Sequence, residues 1–362
     1  MSDRDGVRLA LERAGVTIDH REILRHIDLQ VPRGELLVIL GNTDSGKSTL
    51  LRAIAGLDPL SSGELHIDGA DVRRLRTEWR GAAMMMQNFP LWPNRSVSGN
   101  VAFGLEQQRM KRSVRKLRIQ HALARVGMLD FRRHWPWQLS DSQRQRVALA
   151  RTLAAGARLN LLDEPFSTQD EQHRRGLAQM LKQLHQDQET TTLIAARDGQ
   201  ALVPIADRVA VLHDGRMQQL GTPQALYDTP SNRVVAETMG RANLIEGETE
   251  HVGEQTLFRA AGDLVIPLFD GALVRPRKGT AFFRPHDLRP VCEEQATREN
   301  QVCFSGRVDH VEFLGGVIRY ALKTGDIKLW MDQARSDDPQ MPRVGQQIMV
   351  GLAPEKIRIL DA

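Results

Sequence analysis

The sequence is poor in cysteine and has no long apolar run. Its 362 residues include two cysteines, Cys292 and Cys303, which are too few for a disulfide framework and fit no zinc-binding spacing. No apolar stretch approaches the ~20 residues with which a helix spans a bilayer. No apolar core of a secretory signal follows Met1–Asp5. Together these absences predict a protein of the reducing cytosol.

A large excess of charge of one sign is also missing. The chain carries 49 Lys and Arg against 45 Asp and Glu, a formal net charge of +4. Such a balance is far from the signature of nucleic-acid binding, so we expect no nucleic-acid partner, although it is compatible with an anionic membrane surface. A composition of 41% hydrophobic and 26% charged residues is ordinary for a folded protein. The length allows two or three domains.

The most informative stretch is a glycine-containing loop between two apolar segments. Leu36–Leu40 is typical of a buried strand, and Leu50–Ala55 is typical of a helix. A loop that ends Gly-Lys-Ser in this strand–loop–helix context is a phosphate-binding loop. Its candidate nucleotide-binding residues are Gly41, Asn42, Thr43, Asp44, Ser45, Gly46, Lys47, Ser48 and Thr49.

Each residue type in this loop has a chemical reason. Gly41 and Gly46 allow the backbone N–H groups to curl toward a phosphate. The helix that begins near Lys47 adds the positive end of its dipole. The Lys47 ammonium can neutralise the β- and γ-phosphates, and the Ser48 hydroxyl can ligate Mg²⁺.

Two further apolar strands end in polar residues that could join this loop. Met84–Met86 is followed by Gln87, and the strand at 159–164 ends in Asp163 and Glu164. The carboxyl ends of strands are where α/β sheets bind ligands. Paired carboxylates there suggest a metal-binding Asp163 and a water-activating Glu164. The strand Thr191–Ala196 ends similarly at Arg197.

The remaining segments predict a helical subdomain and a separate β-domain. Residues 106–135 are basic and helical, and Ser140 lies where a helix continuing through Gln143–Arg151 would have its N-cap. The apolar loop Phe89–Pro93 is either a packed loop or a docking surface. Beyond about residue 237, short strands alternate with glycine turns. We therefore predict an α/β domain at 1–237, with a helical subdomain at about 88–150, and a small all-β domain at 238–362.

In this order the segments resemble the ATP-binding cassette (ABC) ATPases, nearest to the import ATPases for sulfate, iron, polyamines, phosphonates and sugars. The resemblance runs nearly end to end, and the ordered set of motifs is far more specific than any single one. The matching segments are the phosphate-binding loop, Gln87 as the Q-loop, the signature loop at 139–143, the strand ending Asp163-Glu164-Pro165, Ser167–Asp170 as the D-loop, Gly221-Thr222-Pro223, and Phe283–Asp287 in an accessory β-domain.

The resemblance implies a fold and a nucleotide chemistry. The fold is a P-loop NTPase cassette, with an antiparallel β-subdomain and a helical subdomain, followed by an OB-like accessory domain. Two cassettes, as a homodimer or as a heterodimer with a second cassette, would close head to tail over ATP. Each ATP would lie between one P-loop and the partner's signature loop, here Ser140 and Gln143. Ser48, Gln87 and Asp163 would hold Mg²⁺ while Glu164 polarises water.

The resemblance also implies a place and partners. Closure of the cassette pair would drive two transmembrane permease subunits, which receive solute from an extracytoplasmic binding protein. The chain would then be peripheral to the cytoplasmic face of the bacterial inner membrane. Phe89 and Trp92 would lie near the groove that takes the permease's coupling helix.

Four positions depart from the family pattern. Asp141 and Ser142 replace two glycines that let the signature backbone approach the γ-phosphate. At ~4 Å and an effective dielectric near 20, each like-charge pair formed by Asp141 would cost on the order of 4 kcal/mol. Arg197 replaces the switch histidine. Ile18 falls where an aromatic residue stacks on adenine, with His20 as a candidate substitute. Asn42, Thr43 and Asp44 also change the usual loop.

These departures lead us to expect a chain that binds Mg-ATP but closes its dimer poorly and hydrolyses slowly. The alternative is a non-catalytic subunit that uses nucleotide as a structural or regulatory ligand. Arg197 of one subunit could compensate Asp141 of the other across the phosphate, or the two changes could be independent. A soluble P-loop kinase and a tandem-cassette translation factor are disfavoured, because neither explains the single P-loop together with the signature segment and the β-domain.

Overall fold

The computed structural model describes residues 6–106, 108, 110–188, 190–252, 255–260, 265–268, 278–291, 301–335 and 341–361. The chain forms two compact units, Met1–Ala225 and Leu226–Ala362. This division falls earlier than the expected boundary at residue 237. The helix Arg233–Met239 belongs to the second unit, because the Arg284 guanidinium donates hydrogen bonds to the carbonyls of Ala236 (3.1 Å) and Gly240 (3.2 Å).

The first unit alternates strands and helices along the chain. Its elements are β1 (Val7–Ile18), β2 (Arg21–Pro32), β3 (Leu36–Leu40), α1 (Lys47–Ala55), β4 (Ser62–Ile67), β5 (Ala70–Asp71), β6 (Ala82–Met85), α2 (Val97–Glu106), α3 (Arg112–Arg125), α4 (Asp141–Ala154), β7 (Leu159–Asp163), α5 (Glu171–Gln188), β8 (Thr191–Ala196), β9 (Arg208–His213) and β10 (Arg216–Gly221).

These strands form two sheets. An antiparallel sheet has the order β2-β1-β4-β5, and a six-stranded sheet has the order β10-β9-β3-β8-β7-β6. One buried apolar cluster contains residues of both sheets and of α1, among them Leu9, Ile39 and Leu50. The strands β3, β7 and β8 are buried along their whole length, as expected for a parallel sheet covered on both faces.

The parallel register brings several loops to one edge. Leu40 at the end of β3 pairs with Ala196 of β8, and Ala195 pairs with Asp163 of β7. Met85 of β6 pairs with Leu162. The loops that follow these four strands therefore start side by side at the carboxyl edge of the sheet, where α/β proteins bind ligands.

The helical region consists of α2, α3 and α4, which pack on one another. The start of α4 is fixed by a reciprocal capping box, in which the Gln143 N–H donates to Ser140 Oγ (3.2 Å) and the Ser140 N–H donates to Gln143 Oε1 (3.0 Å). This arrangement satisfies two backbone donors at the helix terminus. The N-cap expected at Ser140 is thus present.

The second unit begins within α6 (Pro223–Asp228), continues with α7 (Arg233–Met239) and is otherwise built of strands. These are β11 (Asn243–Val252), β12 (Gln255–Ala260), β13 (Val265–Leu268), β14 (Lys278–Phe283), β15 (Arg289–Pro290), β16 (Val302–Phe313), β17 (Val317–Thr324), β18 (Ile327–Ala334), β19 (Gln347–Leu352) and β20 (Arg358–Asp361).

Two antiparallel sheets, ordered β13-β12-β11-β14-β20 and β15-β19-β16-β17-β18, share one apolar core. Phe258 and Phe283 of the first sheet lie in that core with Phe304 and Tyr320 of the second. The predicted fold class, an α/β P-loop cassette followed by a small all-β domain, is confirmed. In the described residues of both units, no helix is both long enough and apolar enough to cross a membrane. Cys292 lies outside the described residues, and Cys303 is an exposed free thiol.

Candidate nucleotide-binding site

The carboxyl edge of the six-stranded sheet borders a cavity of about 830 Å³. Segments that are far apart in the sequence line it: the end of β1, the loop after β3, Gln87 after β6, Glu164 after β7 and Arg197 after β8. The predicted site residues on its wall are Ile18, Thr43, Asp44, Gly46, Lys47, Ser48, Thr49, Gln87, Glu164 and Arg197. The fold therefore brings together most of the residues that sequence analysis assigned to one site.

The loop between β3 and α1 needs its two glycines for different reasons. A side chain at Gly41 would meet the Leu212 carbonyl oxygen at 2.2 Å, so the backbone there can pass only as glycine. Gly46 has φ +99°, a left-handed conformation that favours glycine, and it immediately precedes the first residue of α1. These constraints place the N-terminus of a nine-residue helix at the cavity wall, where its N–H groups and dipole favour an anion.

The Lys47 ammonium is held against the loop from which it emerges. Its Nζ donates to the carbonyl oxygens of Gly41 and Asn42, both at 2.7 Å, and to Ser45 Oγ at 3.2 Å. Burial lowers the pKa of Lys47, and the carboxylates of Glu164 and Asp163 oppose this effect. The three residues that accept these bonds, Gly41, Asn42 and Ser45, thus hold the Lys47 side chain in place. None of the three lines the cavity.

Ser48 and Asp163 form an oxygen-rich pair beside the lysine. Asp163 is 3% exposed, and burial raises the pKa of its carboxyl group, while a hydrogen bond with the Ser48 side chain acts in the opposite direction. Its Oδ1 has no hydrogen-bond partner among the described residues. A buried carboxylate oxygen without a donor is costly unless a ligand satisfies it. Carboxylate and hydroxyl oxygens are ligands that suit Mg²⁺.

Glu164 has an unusual backbone conformation and an unexpected partner. Its φ is +50°, a left-handed value that costs free energy for a non-glycine residue and is typical of functional sites. Its N–H donates to the Ala195 carbonyl at 2.9 Å, which fixes the residue at the sheet edge. Arg197 Nε donates to Glu164 Oε1 at 3.1 Å. Arg197 was predicted to lie beside a phosphate, and its ion pair with Glu164 was not predicted.

The signature segment lies apart from this cavity within the single chain. Ser140 and Gln143 bind each other in the capping box, and Asp141 is exposed and pairs with Arg144. The side chain of Ser142 is turned into its own subunit, where its Oγ donates to Gln169 Oε1 at 2.7 Å. The Ser142 hydroxyl is thus bound within its own subunit, whereas Asp141 lies on the surface.

The position at which an aromatic residue was expected to stack on adenine is occupied by Ile18. Ile18 lines the cavity and is 40% exposed, but its side chain offers only an aliphatic surface. His20, the candidate substitute, is exposed and does not line the cavity. No Phe, Tyr or Trp lies among the described residues of the cavity wall.

The apolar loop after Gln87 is ordered by one buried amide. Asn100 is fully buried; its Oδ1 accepts from the Trp92 N–H (2.7 Å), and its Nδ2 donates to the carbonyls of Trp92 (3.1 Å), Arg95 (3.0 Å) and Ser96 (3.1 Å). The Trp92 ring stays 44% exposed and packs on Phe103 with 4.9 Å between centroids.

This loop borders a second, open groove of about 630 Å³, whose other lining residues include Trp137 and Arg144. The role of Asn100 was not predicted from the sequence. A single amide in an apolar helix, eight residues after the tryptophan that it binds, was the only signal for that role.

A helix N-terminus with a buried lysine, a serine–aspartate pair and a glutamate at one sheet edge define a nucleotide-binding cassette of the P-loop class. Comparison with known proteins agrees. The family described as "ABC transporter" matches residues 24–167, and the family described as "TOBE domain" matches residues 282–360.

Individual relatives support the same assignment. The chain is 35% identical to the sulfate/thiosulfate import ATP-binding protein CysA 2 of Shewanella oneidensis, over 82% of each chain. It is 31% identical to a sulfate/thiosulfate import ATP-binding protein CysA of Mesostigma viride, over 94% of this chain and 96% of the relative. A solved dimeric structure of the ATP-binding cassette MJ0796, in a post-hydrolysis state with ADP and Pi, matches with TM-score 0.56 and 28% identity. That match covers 59% of this chain and 98% of the solved one.

The chain belongs to the ABC transporter family, as an importer-type ATP-binding subunit with a C-terminal TOBE domain. The resemblance inferred from the sequence is thereby confirmed, as is the assignment to the ABC ATPases, with ATP as the nucleotide. Its partners are a second cassette and a membrane permease.

Proposed function

We propose that the chain binds Mg-ATP in the cavity at the sheet edge and hydrolyses it slowly to drive solute import. The observation that carries this proposal is the convergence of Lys47, Ser48 and Glu164 on one cavity wall. The α1 N-terminus and the Lys47 ammonium would bind the phosphates, and Glu164 would orient and polarise the attacking water. Gln87, which is exposed at the same wall, would contact the metal–nucleotide complex.

Magnesium fits the residues that are present. Ser48 Oγ and the partnerless Oδ1 of buried Asp163 supply two oxygen ligands, and Gln87 offers an amide oxygen. When bound, the metal would neutralise charge on the β- and γ-phosphates. Filling the site would also remove the cost of an unsatisfied carboxylate oxygen at Asp163.

The partner surfaces follow from the same site. In a head-to-tail dimer, which we propose to be a homodimer, Ser140 and Gln143 of one subunit would face the ATP of the other. Two permease subunits would dock their cytoplasmic segments in the groove bordered by Phe89 and Trp137, so that the chain lies peripherally on the cytoplasmic membrane face. An extracytoplasmic binding protein would deliver the solute. The relatives named above make sulfate and thiosulfate the first solutes to test.

Two features support a low rate of hydrolysis. Arg197 occupies an oxygen of Glu164 that would otherwise accept a hydrogen bond from water. Asp141 is exposed at the first turn of α4 and would bring a negative charge toward the partner's nucleotide. Both features favour slow turnover over loss of binding, because neither touches Lys47.

The test is phosphate release by the chain, alone and reassembled with its permease in vesicles. We expect slow release that the permease accelerates and that Glu164→Gln abolishes while Mg-ATP still binds. Glu171→Gln, a matched change on the exposed face of α5, should leave the rate unaltered. Release that persists in Glu164→Gln would contradict the role of Glu164. Release that the permease does not accelerate would favour the alternative, a regulatory nucleotide-binding subunit.

A further inference from the structure

The start of α4 and the segment after Glu164 are joined by a chain of buried side-chain amides. Gln145 is 2% exposed and Gln169 is 4% exposed, although both carry polar head groups. Buried amides persist only when their donors and acceptors are satisfied. The partners of these two residues therefore show what the amides hold in place.

Gln169 has a partner for each of its polar atoms, and two of its bonds go to Ser142. Its Oε1 accepts from Ser142 Oγ (2.7 Å), and its Nε2 donates to the Ser142 carbonyl (3.2 Å) and to Gln145 Oε1 (2.8 Å). The hydroxyl and the carbonyl of Ser142 are thus bound by a single amide. This is why the Ser142 side chain points into its own subunit.

Gln145 continues the connection to the backbone of Glu164 and makes no hydrogen bond to the Glu164 carboxylate. Its Oε1 also accepts from Thr168 Oγ1 (2.8 Å), and its Nε2 donates to the Glu164 carbonyl (3.3 Å) and to Ser167 Oγ (3.4 Å). The signature segment and the backbone of Glu164 are therefore linked through side chains alone, across about twenty residues of sequence.

We propose that Gln169 is a positioning residue that allows a serine to stand at position 142. By binding the Ser142 hydroxyl, it turns that hydroxyl into its own subunit and leaves the backbone of the signature segment to face the partner's nucleotide. The inference rests on the proposed head-to-tail function. Gln169 acts through Ser142 and Gln145, and it does not itself touch the nucleotide.

The test is a double-mutant cycle of Ser142→Ala and Gln169→Leu, read as kcat for phosphate release by the full chain. Gln169→Leu releases the Ser142 hydroxyl from its partner, so we expect it to lower kcat about fivefold, as for loss of one net hydrogen bond. Ser142→Ala removes the hydroxyl itself and should leave kcat within about twofold of the wild type. In the Ser142→Ala background, Gln169→Leu should cost clearly less than fivefold, because no hydroxyl is left to be held. If the two residues acted independently, Gln169→Leu would cost the same factor in both backgrounds, and that result would overturn the proposal.

Two controls separate this role from general destabilisation and from failure of the proposed function. The dissociation constant of Mg-ATP, measured by calorimetry on each variant, should stay within about twofold of the wild type, since the Lys47 loop is untouched. Gln179→Leu, the same substitution on the exposed face of α5, should leave kcat unchanged. If wild-type protein bound no Mg-ATP, the proposed function would fail before the cycle began.

The proposal can still be tested if the fold does not tolerate a substitution at Gln169. Should Gln169→Leu fail to fold, Ser142→Ala remains informative, because Ser142 is half-buried and loses only a hydroxyl. A fall of about fivefold in the kcat of Ser142→Ala, with Mg-ATP still bound, would overturn the proposal, because the hydroxyl would then be required and not merely accommodated. A kcat within about twofold of the wild type would support it.

Discussion

Replacing Arg197 by histidine should accelerate ATP hydrolysis, because it releases Glu164 from an ion pair. Arg197 Nε lies 3.1 Å from Glu164 Oε1, and the two side chains are 52% and 10% exposed. Before Oε1 can accept a hydrogen bond from the attacking water, this contact must be broken or rearranged. The arginine therefore stabilises the ground state of the site relative to the arrangement that reacts.

The size of the effect follows from the exposure of the pair. A hydrogen bond to a charged group contributes ~1.5–3 kcal/mol when it is buried, and exposed ion pairs contribute ~1 kcal/mol or less. Since Arg197 is half exposed, we take about 1 kcal/mol for this contact. A barrier lowered by that amount corresponds to a rate increase of about fivefold.

The assay is steady-state phosphate release at saturating Mg-ATP, so that kcat is measured apart from nucleotide affinity. Arg175→His is the matched control, since Arg175 is exposed on α5 and pairs with Glu171 instead of Glu164. We expect Arg197→His to raise kcat about fivefold and Arg175→His to leave it unchanged. A kcat for Arg197→His that is equal to or below the wild-type value would refute the reasoning, and would mean that Arg197 assists the reaction.

Three further predictions follow from the described contacts. Asp141→Gly combined with Arg197→His should change kcat by the product of the single effects, because each residue is paired within its own chain; a strongly non-multiplicative result would support pairing across the dimer. Asp163→Asn should raise the nucleotide-free melting temperature at pH 7, because burial raises the pKa of that carboxyl and its charged form destabilises the fold; a lower melting temperature would contradict this. His185 is buried, its Nε2 lies 2.9 Å from the Gly34 carbonyl, and burial lowers its pKa. Below the ordinary value of 6.5 the unfolded chain therefore binds a proton that the fold does not. As the pH falls below that value, the free energy of unfolding should decrease by up to ~1.4 kcal/mol per pH unit. In urea titrations at several pH values, His185→Gln should reduce this dependence on pH.

Local sequence signals predicted the frame of the site well. Leu36–Leu40 and Thr191–Ala196 are strands with the predicted bounds, because a short apolar run between turn residues has few other solutions. The phosphate-binding loop was also predictable from local sequence, since its glycines occupy backbone positions that only glycine readily adopts. The parallel sheet then placed Gln87, Glu164 and Arg197 together without any further signal.

Contacts between distant segments were not predictable from the sequence. The Arg197–Glu164 ion pair joins residues 33 apart, and the Ser142–Gln169 bond joins residues 27 apart. Each depends on side-chain direction at a loop, which composition and periodicity do not encode. Ser142 was expected to face a phosphate because only its position, and not its partner, could be seen in the sequence.

The domain boundary and two strands of the second unit also depend on contacts between distant segments, which the sequence alone does not reveal. The change of periodicity near residue 237 marks where helices stop. However, the helix Arg233–Met239 packs with the following strands because Arg284, nearly fifty residues later, binds its carbonyls. Strands β11 and β12 were not predicted; they pair with each other, and β11 also pairs with β14. Their assignment required the sheet as a whole.

Calorimetric titration of Mg-ATP into the wild-type chain and into Lys47→Ala tests the central claim most directly. Lys47 Nζ is bound by Gly41, Asn42 and Ser45 at the start of α1, so its removal takes away the one ammonium on the wall of the cavity in the described part of the chain. We expect saturable heat for the wild type and none for Lys47→Ala. Equal heats for the two proteins, or no heat for either, would contradict it.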